Sequence, residues 1–326
     1  MVAKEVSNIE ESKSSQLRKH YYLDDYVVIS PRRSKRPQEL SGDVLSQKNK
    51  KQHPIEKNRS IYEIKERKGK LPTRRKWQVK VVENEYPAFT PRNPDAAGVQ
   101  EIVLETPKMN TPFAALSVAE IMQVFKVYQR RVKLLRKKYS YISVFKNQGY
   151  RSGASLNHTH SQIIASKIIP PQVLRERKAL SQYQIEHRTS ALCDVIRWEL
   201  KQEKRVVAHT RHTTTICPFA SKLPLETWVI PNRQVHSIVD LTEEEIKSLA
   251  DHLKGVVSAL SDGEINFNYH LQEGVSGDYN HFFIKVSPRI NIAGGYELNT
   301  GIYINQVSPE YACRWYRKYI KTPDSS

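Results

Sequence analysis

Two stretches, Ser117-Val118-Ala119-Glu120 and Thr242-Glu243-Glu244-Glu245, constrain the fold of this chain most. Each is a capping-box pattern, in which a Ser or Thr hydroxyl accepts from the third helical amide and the Glu carboxylate reaches back to the cap. Apolar residues then recur at helical spacing: Ile121, Val124, Phe125, Tyr128 and Val132 after the first box, Ile246, Leu249, Leu253, Val256 and Leu260 after the second. A helix with one such stripe must lay it on a sheet or on another helix. Each helix is followed by a strand, a loop and a second, histidine-linked strand, at residues 141–145 and 162–165 in one case and 266–270 and 281–286 in the other. Further strands read at 26–30, 61–64, 77–82, 100–105, 205–208 and 227–230 from their β-branched and aromatic content. The recurrence predicts an α+β chain of two related halves, each an antiparallel sheet with packed helices.

The boundaries follow from composition. Residues 1–18 are polar and without period, which predicts a frayed or disordered start. The first half spans 19–171 and ends at Pro170-Pro171. A polar helical connector covers 172–188, and the second half spans 189–320. Residues 40–75 read as a long loop around the strand at 61–64.

Only the first half carries the segment Asn147-Gln148-Gly149-Tyr150-Arg151-Ser152-Gly153-Ala154-Ser155-Leu156-Asn157-His158-Thr159-His160-Ser161-Gln162. Side chains in a strand alternate, so His158, His160 and Gln162 are predicted to share one face. A neutral imidazole can attack phosphorus without a separate base, and its ordinary pKa of about 6.5 leaves much of it neutral near pH 7. Asn147, Ser155, Gln162 and the loop amides could stabilise charge on phosphate oxygens, while Gly149 and Gly153 allow close backbone approach. On these residues alone, metal binding by the two histidines is as good a reading as nucleophilic catalysis.

The formal charge of +18 is concentrated between Lys48 and Lys80 and in residues 130–138. Such a surface attracts anions, which include nucleotides, sugar phosphates and nucleic acid. No apolar run reaches the roughly 20 residues that span a bilayer. The polar start lacks a signal-peptide core, so a cytoplasmic protein without membrane attachment is expected. Cys193, Cys217 and Cys313 are far apart and form no C-x-x-C pair, which argues against a disulfide framework or a cysteine-rich zinc module.

The Asn-to-Gln segment resembles the active-site motif of the galactose-1-phosphate uridylyltransferase family, a branch of the histidine-triad superfamily. The likeness continues through residues 30–37, 84–88, 217–220, 228–231 and 293–297, and covers about 17–319. It implies two histidine-triad-like halves, a homodimer, and ping-pong transfer of a nucleoside monophosphate. It casts His160 as the nucleophile and His158 as an orienting residue. Asn147, Gly153, Ser155, Gln162, Arg33, Arg36 and Asn84 become phosphate or nucleotide contacts, and Glu297 a sugar contact. Gln162 stands where hydrolytic relatives carry a histidine, and an amide shuttles protons poorly, which favours transfer over hydrolysis.

Two departures from the family pattern matter. The thiolates of its structural zinc site are absent, and this weighs against a metal cofactor; the remaining candidate ligands are His53, Glu56 and His158. After Glu297, residues 298–305 resemble ADP-glucose phosphorylase relatives more than the uridylyltransferases. The expected reaction therefore moves a nucleoside monophosphate from a nucleotide sugar to a hexose 1-phosphate, with inorganic phosphate as the alternative acceptor. A rival of another class is a silent, basic nucleic-acid binder. The intact motif weighs against it, because a binder needs no histidines beside Gln162.

Overall fold

The computed structural model describes residues 14–35, 55–65, 77–274 and 280–320. The first half contributes β3 (Ser60–Lys65), β4 (Trp77–Glu83), β5 (Gly98–Leu104), helix α1 (Val118–Leu135), β6 (Tyr141–Gln148) and β7 (His160–Ser166). The second contributes β8 (Val206–His209), β9 (Thr213–Ile216), β10 (Thr227–Pro231), helix α4 (Glu243–Asp262), β11 (Phe267–Gln272) and β12 (Phe283–Pro288). Between the halves run α2 (Pro171–His187) and α3 (Ala191–Gln202).

The ten strands form one sheet in the order β3-β4-β5-β7-β6-β11-β12-β10-β9-β8. Each half therefore has the same internal order, and the halves meet edge to edge where β6 pairs antiparallel with β11. Both capping boxes form as expected, with Ser117 and Glu120 bonded reciprocally at α1 and Thr242 and Glu245 at α4. Both predicted stripes are buried. Helices α1 and α4 lie on one face of the sheet over Val103, Val144, Ile163, Val229, Tyr269 and Ile284, and each large side chain so buried contributes about 1.5–3 kcal/mol.

The opposite face is covered unevenly. Over the second half, α2 and α3 bury Trp228, Ile230 and Phe283 beneath Leu180, Leu192 and Ile196. Over the first half the same face carries His160, Gln162 and, across β6, Phe145 and Asn147.

Three expectations change. Residues 16–18 are not frayed: Gln16–Lys19 is a strand, β1, paired with β2 (Tyr26–Ile29), and Arg18 is buried in a two-pronged bond with Glu310. With β13 (Tyr303–Asn305) these strands make a second sheet, docked on the second half by Asn305, whose amide donates to the carbonyls of Ser221 and Leu223. The last described helices, α5 (Gly295–Thr300) and α6 (Pro309–Arg317), flank β13. The strand read at 281–286 starts at Phe283 and that at 162–165 starts at His160. His158 therefore precedes its strand and does not share a face with His160 by alternation.

The basic run at 130–138 is partly tied to the rest of the chain, while Lys133, Lys137 and Lys138 are exposed. Arg131 is buried against Glu101, Arg136 bonds Glu273, and the Arg130 guanidinium sits 4.5 Å from the Tyr62 ring centroid. No helix among the described residues is long and apolar enough to cross a membrane.

Candidate active site

The loop from β6 to β7 needs both of its glycines. Gly149 and Gly153 have φ of +83° and +84°, a region that L side chains disfavour. A Cβ on Gly149 would also lie 2.5 Å from the Asn266 side chain. The turn is held from the second half: Asn268 on β11 donates to Asn147 Oδ1 at 2.7 Å and to the Ser152 carbonyl at 2.8 Å. Asn266 Oδ1 accepts from the Arg151 amide at 3.0 Å. Ser155 is exposed on this loop.

His160 opens β7 and is only 4% exposed. Its Nδ1–H donates to the carbonyl of His158 at 2.8 Å, which leaves the lone pair on Nε2. Burial, and then the charge of Lys146, pushes its pKa below the usual histidine value, so the ring is held neutral. His158 in turn donates from Nε2 to the carbonyl of Thr106 at 2.6 Å, and its ring stacks on Trp77. It thus orients His160 through its main chain.

Gln162, the next residue on the His160 face, accepts from the Gln100 amide at 2.8 Å. With its oxygen engaged by Gln100, its NH2 is left to donate elsewhere, and no hydrogen bond from it is made among the described residues. Gln100 also receives the Ala88 amide on Oε1 and the Asn84 amide on its carbonyl, which ties the Asn84 loop to β5. Asn84 caps that loop by accepting from the Tyr86 amide at 2.9 Å. Three separate sets of hydrogen bonds thus meet on β5, β6 and β7: Gln162 with Gln100 and the Asn84 loop, Asn147 with Asn268 and the Gly153 turn, and His160 with His158 and Thr106.

Arg33 and Glu297 lie elsewhere. Arg33 is exposed in the turn after β2, and Glu297 accepts from the Gly294 amide in α5, beside β13. Among the described residues no hydrogen bond or ion pair links either to the His160 group. Arg36, His53 and the Glu56 side chain lie outside the described residues. Among those described, no three His, Cys, Asp or Glu residues are grouped to hold a metal, and the Nε2 of His158 is already committed to Thr106.

Sequence reading missed a buried polar group behind His160. Lys146 Nζ donates to Glu105 Oε2 at 2.5 Å, Thr159 Oγ1 at 2.8 Å and the His160 carbonyl at 2.9 Å. Burial lowers the Lys146 pKa, and Glu105 opposes that fall. Its signal was present: alternation in β6 puts Lys146 on the inward face with Ile142 and Val144. A lysine there demands a partner.

The second half keeps the scaffold without a counterpart of His160. His281 donates from Nε2 to the Pro231 carbonyl at 2.8 Å, much as His158 does to Thr106. Two residues on, where the first half has His160, stands Phe283, packed on Trp228.

Comparison with known proteins agrees with this geometry. A protein-family model for the galactose-1-phosphate uridyl transferase N-terminal domain matches residues 4–170, and one for its C-terminal domain matches 176–275. The ADP-glucose phosphorylase of Arabidopsis thaliana is 28% identical over 96% of this chain and 95% of its own length. The galactose-1-phosphate uridylyltransferase of Thermotoga maritima is 28% identical over 93% of this chain and 98% of its own. A crystal structure of an Arabidopsis thaliana ADP-glucose phosphorylase with bound ADP-glucose superposes with a TM-score of 0.80 at 26% identity, covering 94% of this chain and 100% of that one. The chain therefore belongs to the galactose-1-phosphate uridylyltransferase family, a family of nucleotidyltransferases.

Proposed function

We propose that the protein moves a nucleoside monophosphate from a nucleoside diphosphate sugar to a hexose 1-phosphate through a covalent bond to His160. The observation that carries this reading is the Nδ1–H bond to the His158 carbonyl, which fixes the tautomer and leaves Nε2 as the nucleophilic nitrogen.

In the first step Nε2 attacks the α-phosphorus. A P–N bond forms, the P–O bond to the sugar phosphate breaks, and the hexose 1-phosphate leaves with that electron pair. The leaving group is an already acidic phosphate, so it needs no proton and no general acid. The Gln162 NH2 and the Asn147 amide are the donors for the non-bridging oxygens, each of the kind worth roughly 3 kcal/mol in a transition state. In the second step a phosphate oxygen of the acceptor attacks the same phosphorus and restores His160. That oxygen is anionic, whereas water would need a base, and the Gln162 amide is none. The histidine adduct is thereby protected from water.

Inorganic phosphate satisfies the same chemistry as acceptor. The Arabidopsis ADP-glucose phosphorylase and the Thermotoga uridylyltransferase both match nearly end to end and support the two acceptors equally. Under this second reading the product is a nucleoside diphosphate.

The test is to incubate the protein with UDP-glucose or ADP-glucose, find the adduct by intact mass, then add galactose 1-phosphate or phosphate. Discharge by the sugar phosphate alone supports transfer, and discharge by phosphate alone supports phosphorolysis. A folded protein that forms no adduct with any nucleotide sugar refutes the covalent mechanism. Arg33, Arg36, Ser155 and Glu297 are proposed substrate contacts, and a cytoplasmic homodimer is part of the same reading. Sedimentation and cell fractionation check the last two.

A further inference from the structure

His160 is held from both sides by two consecutive residues, Glu105 and Thr106, which follow β5. On one side the Thr106 carbonyl accepts from His158, whose own carbonyl accepts from the His160 ring. On the other side Glu105 Oε2 accepts from Lys146 and from Thr159 Oγ1, while Lys146 donates to the carbonyl of His160. Three acceptors use the three ammonium protons of Lys146, so its direction is fully specified. The Glu105 amide closes the frame on the Thr159 carbonyl at 3.3 Å.

Stability is a poor reason to keep such a pair. Lys146 and Glu105 side chains are both 0% exposed, and a buried ion pair is often no better for folding than well-packed apolar residues. The molecule contains its own comparison. Lys146 faces Ser161, the residue after His160, across β6 and β7. In the second half Leu271 faces Ile284, the residue after Phe283, across β11 and β12. The half without a nucleophile builds the same strand pair from apolar residues. The charged pair thus accompanies the nucleophile and not the fold.

We propose that Lys146 and Glu105 are a positioning clamp for the nucleophile, holding the 158–160 main chain so that the His158 carbonyl locks the His160 ring with Nε2 directed at the substrate phosphorus. Lys146 is a positioning residue here and touches no substrate. The identity of the reacting atoms rests on the nucleotidyl-transfer reading, whereas the ring geometry does not.

The test uses the double variant Lys146→Met/Glu105→Gln, which removes both charges, because Lys146→Met alone strands a buried carboxylate. Ring nitrogen NMR on 15N-histidine protein, with the His160 signal assigned from a His160→Gln sample, reports the tautomer. The wild type is expected to show a single Nδ1–H form and the double variant a mixture. If adduct formation is measurable, its single-turnover rate should fall about 100-fold while nucleoside monophosphate affinity stays unchanged, the effect of misplacing a reacting group by about 1 Å. A folded double variant that keeps the single tautomer and the wild-type rate overturns the clamp. Should the double variant not fold, Thr159→Val, which removes the bridging hydroxyl and keeps both charges, decides by the same two readouts. A wild type that forms no adduct defeats the proposed reaction, yet the tautomer measurement still decides the clamp.

Discussion

The side-chain amide of Gln100 donates to Oε1 of Gln162 over 2.8 Å, and Oε1 of Gln100 accepts from the Ala88 amide over 3.0 Å. One side chain therefore sets the orientation of the Gln162 amide, the proposed phosphate donor, and anchors the loop that carries Asn84. Gln100→Leu removes both hydrogen bonds, of which the one to Gln162 is worth about 1 kcal/mol, and the adduct-forming rate should fall roughly 5- to 10-fold. Single-turnover mass spectrometry reads this directly. An unchanged rate would mean that Gln162 holds its orientation unaided.

Gln162→His replaces an amide by a group that can take a proton from water. The adduct should then decay by hydrolysis in the absence of any acceptor, and its half-life is the measurement. An adduct as long-lived as that of the wild type would show that something other than the amide excludes water.

Asn268→Ala removes two bonds to the loop between β6 and β7, to Asn147 Oδ1 and to the Ser152 carbonyl. At about 1 kcal/mol each, KM for the nucleotide sugar should rise roughly 10- to 30-fold. Melting should fall by only a few degrees. A change confined to melting would place Asn268 in the scaffold alone.

Acid should unfold the protein early. Burial is the main cause that lowers His20 to about 3 and His252, His270 and His281 to about 4 each. The unfolded chain takes up these protons near the ordinary value of about 6.5, and the folded chain refuses them until far lower pH. Stability is therefore complete above about pH 6.5 and is lost as pH falls toward 4, by about 1.4 kcal/mol per pH unit for each histidine. Urea unfolding at pH 7, 6 and 5 measures the slope, and a flat profile would contradict neutral buried rings. His160, lowered in the same direction, should remain nucleophilic somewhat below pH 6.5.

Arg131 and Glu101 form a buried two-pronged pair between α1 and β5, with Arg131 Nε 2.8 Å from Oε2. Arg131→Met strands the carboxylate and should cost about 3–5 kcal/mol. Adding Glu101→Gln should recover most of that loss. Equal stability of the single and double variants would mean that Glu101 finds another partner.

Local interactions were legible in advance. Ser117 and Glu120, or Thr242 and Glu245, lie three residues apart, so their bonds and the apolar stripes behind them can be read from spacing. The same holds for Gly149 and Gly153, whose turn is closed within a few residues. Residues that act through distant strands were not legible. Lys146 faces Ser161 and Tyr269 on neighbouring strands, and Asn268 reaches Asn147 from the other half.

By itself, then, the sequence determined the capped helices, the α+β class, the doubled plan and the loop that presents His160, because each rests on periodicity or short-range bonds. Only the tertiary structure decided that His158 turns its ring to Thr106, that a lysine and a glutamate lie buried behind His160, and that the second half holds the first half's loop. Those outcomes depend on the register of β5, β6, β7 and β11, which strands far apart in the chain fix only when they pair.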